Sequence, residues 1–143
     1  MSATYSLAGT DTADTVSRIA VSDPDVAAAL LRKEVVFNDR MQGMALLLDY
    51  QNQLIGSSVV SVGSVSHTFM APREVFRTAL LAGASAIICG SSHPSGKVKP
   101  SGDDRAVARR LAEAGELLGI DLLDYMILGQ EGGSTSLARA GVV

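Results

Sequence analysis

The residues best suited to chemistry lie in one Gly-, Ser- and Pro-rich segment, GSSHPSGKVKPSG, and in the acidic residues that follow it. His93 is separated by seven residues from Ser101, and Asp104 comes three positions later. Imidazole and carboxylate groups are common ligands of metal ions. This segment is therefore the informative part of the chain.

The same residues also have a purely structural interpretation. Ser101 and Asp104 fit a variant of the capping box, in which the serine bonds the amide three residues on and the acid reaches back. We expect this cap whether or not a metal binds. His93 can equally be a loop histidine bonded to nearby backbone, and His67 is most simply a solvated loop residue.

Cys89 is the single cysteine, so no internal disulfide forms and a reducing compartment is favoured. We interpret it as a small buried hydrophobe at a strand end. The first residues lack a basic region followed by an apolar run, and no stretch reaches about 18 apolar residues. These features predict a cytoplasmic protein that does not enter a membrane.

Composition and charge narrow the function further. A chain of 143 residues with 47% apolar and 19% charged residues predicts one folding unit with an aliphatic core. A net charge of −3 gives no attraction to a phosphate backbone, so nucleic-acid binding is not expected. The basic residues near the segment are interpreted as a solvated rim: Lys97, Lys99, Arg105, Arg109 and Arg110.

Cap, turn and apolar patterns predict an α/β fold, with a mixed sheet flanked by helices. Residues 1–22 form an irregular lead-in and residues 23–143 the domain. The first predicted helix begins around Ser22–Pro24 and continues through DVAAALLRKEVV, and a hairpin of MALLLDY and QLIGSSVVSVG follows it. A second helix from Ala71 to Gly83 leads into the strand SAIICG and the Gly-rich loop. A third helix from Ser101 to Gly119 precedes the strand IDLLDYMIL and a last strand around 134–139.

The segment resembles the metal-binding signature of the JAB/MPN (JAMM) metalloprotease-like superfamily: His, any residue, His, seven residues, Ser, two residues, Asp. Pro-Ser-Gly after His93 and Pro-Ser before the helix are typical of its RadC-like branch. LLLDYQNQLI, the Ala-Pro-Arg-Glu-Val helix start and LLDYMILG extend the resemblance over roughly residues 26–143. It implies a JAB/MPN, cytidine-deaminase-like sheet.

The resemblance also implies a reaction. Active members hold zinc with two histidines and one aspartate, use an upstream glutamate as general base, and place the serine hydroxyl on the oxyanion. They hydrolyse peptide or isopeptide bonds, often those to ubiquitin-like proteins. On this pattern His93 and Asp104 are the metal ligands and Ser101 is the catalytic hydroxyl.

Two positions depart from the pattern. Ser91 stands where the first histidine is expected, and aligning Leu46–Asp49 with the matching family strand puts Met41 at the place of the glutamate. Glu34 is the nearest upstream acid, but using it requires a gap. His93 and Asp104 alone would bind zinc weakly or not at all unless Cys89, His67 or a partner contributes a ligand.

We therefore expect a RadC-like domain with a degenerate zinc-hydrolase site that acts mainly by binding another protein. The alternative is an active zinc peptide or isopeptide hydrolase using His93, Asp104 and a further ligand. A host- or phage-encoded interference protein that binds a defence or repair complex is a variant of the first hypothesis with a different partner. The strand GSSVVSVGSV, if it lies at a sheet edge, predicts a homo-oligomer.

Overall fold

A computed structural model describes residues 4–7, 18–35, 39–63, 70–94, 96, 98–130 and 132–141. The elements are β1 (Thr4–Leu7), α1 (Pro24–Arg32), β2 (Gln42–Leu48), β3 (Leu54–Val62), α2 (Pro72–Ala82), β4 (Ala86–His93), α3 (Gly102–Leu118), β5 (Asp121–Gly129) and β6 (Ser134–Ser136). The predicted mixed sheet flanked by helices is confirmed. No helix of the described ranges has the length and apolar character to span a bilayer.

The strands form one six-stranded sheet in the order β1-β3-β2-β4-β5-β6. Among the described strands, only β4 and β5 pair in parallel, and α3 makes the crossover between them. The carboxyl ends of β4 and β5 therefore meet at one edge of the sheet, where His93 pairs with Gly129.

The two faces of the sheet bury different sets of side chains because successive residues of a strand point to opposite sides. One face, covered by α2 and α3, includes Leu47, Ile87, Cys89 and Ile127. The other face packs against α1 and includes Met44, Leu46, Ile88 and Met126. This alternation decides which polar residues at the strand ends can meet.

The starts of the helices and the end of α2 follow the sequence signals closely, whereas the end of α1 does not. The Asp23 side chain caps α1 by accepting bonds from two backbone amides, and Pro24 takes the first helical position. α2 ends at Gly83 with a φ of 71°, a left-handed conformation that glycine adopts without strain. α1 ends at Arg32, earlier than predicted, and the last predicted helical residue, Val36, lies outside the described residues.

The structure differs from the sequence analysis at three places. Within the lead-in, Thr4–Leu7 forms β1 and pairs with β3. β3 therefore lies between β1 and β2, so the expectation that GSSVVSVGSV forms a sheet edge is wrong. β4 continues through His93 into the predicted loop because β2 and β5 supply backbone partners on both sides.

Candidate functional site

Four of the predicted residues meet at the carboxyl end of β4. Ser91 and His93 alternate with Cys89 along the strand, so their side chains lie on the face covered by α2 and α3. Ser101 precedes α3 and Asp104 lies in its first turn. The crossover from β4 to α3 therefore brings the polar side chains at the end of the strand next to those at the start of the helix.

The Nε2 atom of His93 is the centre of this cluster. It lies 3.2 Å from Ser91 Oγ and 4.0 Å from Asp104 Oδ1. A Ser-His-Asp relay needs the hydroxyl and the carboxylate on different ring nitrogens, whereas here both face the same one. Ser91 is also only 1% exposed. The cluster is thus not arranged as a serine nucleophile with its base.

Asp104 divides its two carboxylate oxygens between two tasks. Oδ2 accepts hydrogen bonds from the Ser101 amide at 2.8 Å and from the Ser101 hydroxyl at 2.9 Å. The Asp104 amide in turn donates to Ser101 Oγ at 3.1 Å, which completes the predicted capping box. Oδ1 is the oxygen that faces His93. The hydroxyl proton of Ser101 is therefore directed at Asp104 and not at open space.

Tyr125 of β5 is a member of this cluster that the sequence analysis missed. Burial raises the pKa of Tyr125, a hydrogen bond with Ser91 acts in the opposite direction, and the charge of Asp104 raises it again. The phenol is therefore neutral at physiological pH. A tyrosine within the largely apolar strand DLLDYMILG was the available signal, because a buried phenol needs a hydrogen-bond partner.

The space beside Ser91 is filled by side chains. Gly43 of β2 pairs with Ser91, and a Cβ added to Gly43 would overlap Met70 Sδ and lie 2.6 Å from Ser61 Oγ. Met70 is itself only 3% exposed. The region around the Ser91 hydroxyl is therefore packed core and not an open cleft.

The donor set does not fit a catalytic zinc site. Such a site takes three protein ligands drawn from imidazole, thiolate and carboxylate groups. Around His93 Nε2 there are one carboxylate oxygen and a neutral serine hydroxyl, and no group of three His, Cys, Asp or Glu residues that could hold a metal occurs in the described part of the chain.

The two suggested extra ligands, Cys89 and His67, do not complete a metal site within the described residues. Cys89 is fully buried in the core under α2 and α3, and burial strongly raises the pKa of its thiol. His67 lies outside the described residues. The predicted roles of His93 and Asp104 as ligands and of Ser101 as a catalytic hydroxyl stay predictions.

The two residues considered for the general-base position, Met41 and Glu34, lie in different parts of the fold. Gln42 pairs with Ser92, so Met41 stands at the level of His93, one residue before β2 begins. Glu34 is instead bound on the α1 side, where its Oε1 accepts a 2.6 Å hydrogen bond from Ser57. Ser57 pairs with Leu46, a member of the α1-facing core. Glu34 and the His93 cluster are thus on opposite faces of the sheet.

Comparison with known proteins agrees with this fold. The family model described as RadC-like JAB domain matches residues 21–142. The chain therefore belongs to the RadC-like JAB domain family.

Two bacterial relatives of the chain share the name UPF0758 protein. A UPF0758 protein of Moorella thermoacetica is 41% identical over 129 residues, which cover 90% of this chain and 56% of the relative. A UPF0758 protein of Rubrobacter xylanophilus is 40% identical over 113 residues, covering 79% and 50%. The chain spans about half the length of these curated relatives.

Proposed function

We propose that this RadC-like JAB domain acts as a protein-binding module and performs little or no hydrolysis at its degenerate site. The observation that carries the proposal is the contact between Ser91 Oγ and His93 Nε2 at 3.2 Å. It puts a neutral, buried hydroxyl where the family pattern requires a second imidazole. His93 and Asp104 are then two ligands, one fewer than a catalytic zinc takes.

Neither described candidate for the general base, Met41 or Glu34, can serve at the cluster. A general base must come within hydrogen-bond reach of the proton it removes. Met41, at the level of His93, carries no group that can take or give a proton, and the carboxylate of Glu34 is bonded to Ser57 on the other face. A hydrolytic reaction would therefore need groups that the described residues do not supply at this place.

Exposed leucines favour a role in protein contact. α2 and α3 lead into the amino ends of the parallel strands β4 and β5, so both helices end on the same side of the sheet, away from His93. Solvent-exposed leucines are concentrated at these two helix ends: Leu80, Leu81, Leu117 and Leu118. Grouped exposed apolar side chains are typical of interaction surfaces.

The first test is the zinc content of the purified, untagged protein. Elemental mass spectrometry before and after dialysis against a mild chelator should find much less than one zinc per chain after dialysis. About one zinc per chain that survives dialysis would contradict the degenerate-site proposal.

The second test is capture of a partner from a lysate of the source cells, with mass spectrometric identification. A specific partner should be retained by the wild-type chain and by His93→Ala, because binding does not use the imidazole chemistry. The double variant Leu81→Ser/Leu117→Ser should lose it if the leucine surface is the contact. Recovery of no stable partner would count against the binding module.

A working zinc-dependent peptide or isopeptide hydrolase is the second candidate. It is favoured by Asp104 Oδ1, which faces His93 Nε2 at 4.0 Å and is not used by the helix cap. This candidate requires a third ligand from outside the described residues or from a partner. It predicts a stoichiometric metal, and hydrolysis that disappears in His93→Ala.

A cytoplasmic location and self-association into a homo-oligomer stay proposals as well.

A further inference from the structure

A small cleft lies on the α1 side of the sheet at the carboxyl ends of β4 and β5. It has a volume of about 110 Å³ and is lined by two arginines, Arg32 and Arg40, together with Ser92, His93 and the apolar residues Val35, Pro94 and Leu128. We propose that this cleft binds a carboxylate group. His93 borders both this cleft and the cluster described above, whereas Ser91, Ser101 and Asp104 do not line the cleft, and Ser92 points to the face of β4 opposite to Ser91.

Arg32 supplies a fixed positive charge. Its Nη1 donates to the Gly129 carbonyl at 2.8 Å, and its Nη2 donates to the Gly133 carbonyl at 2.7 Å. These bonds hold the guanidinium at the end of β5 but leave its charge uncompensated, because carbonyls are neutral. In the described part of the chain no carboxylate forms an ion pair with Arg32. A partly buried cation of this kind is stabilised by an anion.

Ser92 provides an independent sign of a ligand. The residue is 8% exposed, and its hydroxyl is buried without a hydrogen-bond partner among the described residues. Buried hydroxyls are normally paired, because loss of water is otherwise uncompensated. Since Ser92 lines the cleft, an oxygen bound there could accept its proton.

The size and walls of the cleft favour a carboxylate. Its volume of about 110 Å³ is well below the roughly 300–1,000 Å³ of pockets for drug-sized ligands, so it fits a chemical group and not a whole cofactor. A guanidinium matches the two oxygens of a carboxylate, and Val35 and Leu128 can contact the carbon that bears them. The carboxylate can belong to the chain end of a protein or to a small organic acid. The first source rests on the proposed protein-binding function.

Nuclear magnetic resonance titration of the ¹⁵N-labelled full chain tests the proposal. The probes are acetyl-Gly-Gly with a free carboxylate, the same peptide amidated at its C terminus, acetate, and inorganic phosphate. We expect saturable shifts of the Ser92, Gly129 and Gln130 amides with the free peptide and none with the amidated one. Acetate binding as strongly as the peptide indicates a small acid, and stronger peptide binding indicates a chain end.

Matched variants locate the site. Arg40→Gln and Ser92→Ala should each weaken binding about tenfold, since each removes one bond to a charged group, whereas Arg109→Gln on the exposed side of α3 should leave it unchanged. Arg32→Gln also removes two bonds to carbonyl groups, so the other two variants decide the result if it fails to fold.

Three results would overturn the proposal: equal shifts with the amidated peptide, saturation by phosphate alone, or unaltered binding in both Arg40→Gln and Ser92→Ala. The outcome is distinguishable from that of the proposed function. Carboxylate binding without a captured protein partner would remove the protein-binding role but keep the cleft. A captured partner without carboxylate binding would keep the protein-binding role but remove the cleft as a carboxylate site.

Discussion

Ser91 Oγ lies 3.2 Å from His93 Nε2, the same nitrogen that lies 4.0 Å from Asp104 Oδ1. The short distance between Ser91 and His93 leads to the first prediction, which concerns zinc affinity. Ser91→His should place a second imidazole next to the first and provide the three strong ligands that a zinc site requires. We expect zinc affinity, measured by isothermal titration calorimetry, to rise by at least about 10–100-fold. Loss of a residue that only hydrogen-bonds a metal ligand already lowers metal affinity by this factor, and a direct ligand should contribute no less.

Ser92→His is the matched control for that gain. It adds the same side chain one position along β4, but the side chain points to the α1 face, away from His93 and Asp104. Circular dichroism must show that Ser91→His still folds, because position 91 is buried next to Tyr125. A folded Ser91→His variant with no more zinc affinity than Ser92→His would show that the three positions do not form a site.

The capping box at the start of α3 gives a second prediction. Ser101→Ala removes the acceptor of the Asp104 amide and one donor to its Oδ2. Loss of an N-cap side chain costs about 1 kcal/mol of stability. Urea unfolding should therefore give a free energy of unfolding lower by about 1 kcal/mol for Ser101→Ala. Ser101→Thr keeps the hydroxyl and should stay close to wild type, whereas equal losses for both variants would argue against the cap.

The helix starts, the hairpin and this cap were predictable because each is specified within a few neighbouring residues. Pro72 and Gly83 bound α2 as the sequence indicates, and Ser101 and Gly119 bound α3. The family signature was likewise contiguous in sequence. Local chemistry of this kind fixes the elements without knowledge of their partners in space.

The remaining features depend on contacts between distant residues. β1 is stabilised by backbone bonds to β3, which its short sequence, Thr-Tyr-Ser-Leu, does not reveal. The hydroxyl-rich end of β4 reads as a loop, but pairing with β2 and β5 makes it a strand. The cleft at Arg32 requires Gly129 and Gly133 to approach α1 across about a hundred residues of sequence, as the separations of 97 and 101 positions show.

Cys89 provides a third prediction, about thiol reactivity. Its side chain is fully buried, and desolvation raises the pKa of the thiol far above its ordinary range. The nucleophilic thiolate is therefore scarce at neutral pH, and the sulfur is also shielded from reagents. The folded protein should react with Ellman's reagent only at the rate of its opening, and one thiol should react promptly in guanidinium chloride. Rapid reaction of the native protein at pH 8 would contradict the buried position.

The turn after β2 gives the last prediction, which concerns pH. Asp49 Oδ1 accepts hydrogen bonds from the amides of Gln51 and Gln53 at 2.8 and 2.9 Å, and Oδ2 pairs with Arg18 at 3.0 Å. The bond from Gln53 is the main cause that lowers the pKa of Asp49 below its ordinary value of 3.8, with smaller help from Arg18 against the cost of burial. A lowered pKa in the folded state means that the charged form stabilises the fold.

This stabilisation is fully present above the ordinary pKa of 3.8 and is lost as the pH falls through the lower folded pKa. Asp49→Asn keeps an acceptor oxygen but removes the charge, so it should be less stable than wild type at pH 6, and the difference should shrink as the pH falls below 3.8. Urea unfolding across this range measures the difference. Carboxyl ¹³C titration of the folded wild-type protein supplies the independent check, because a midpoint for Asp49 at or above 3.8 would remove the basis of the prediction.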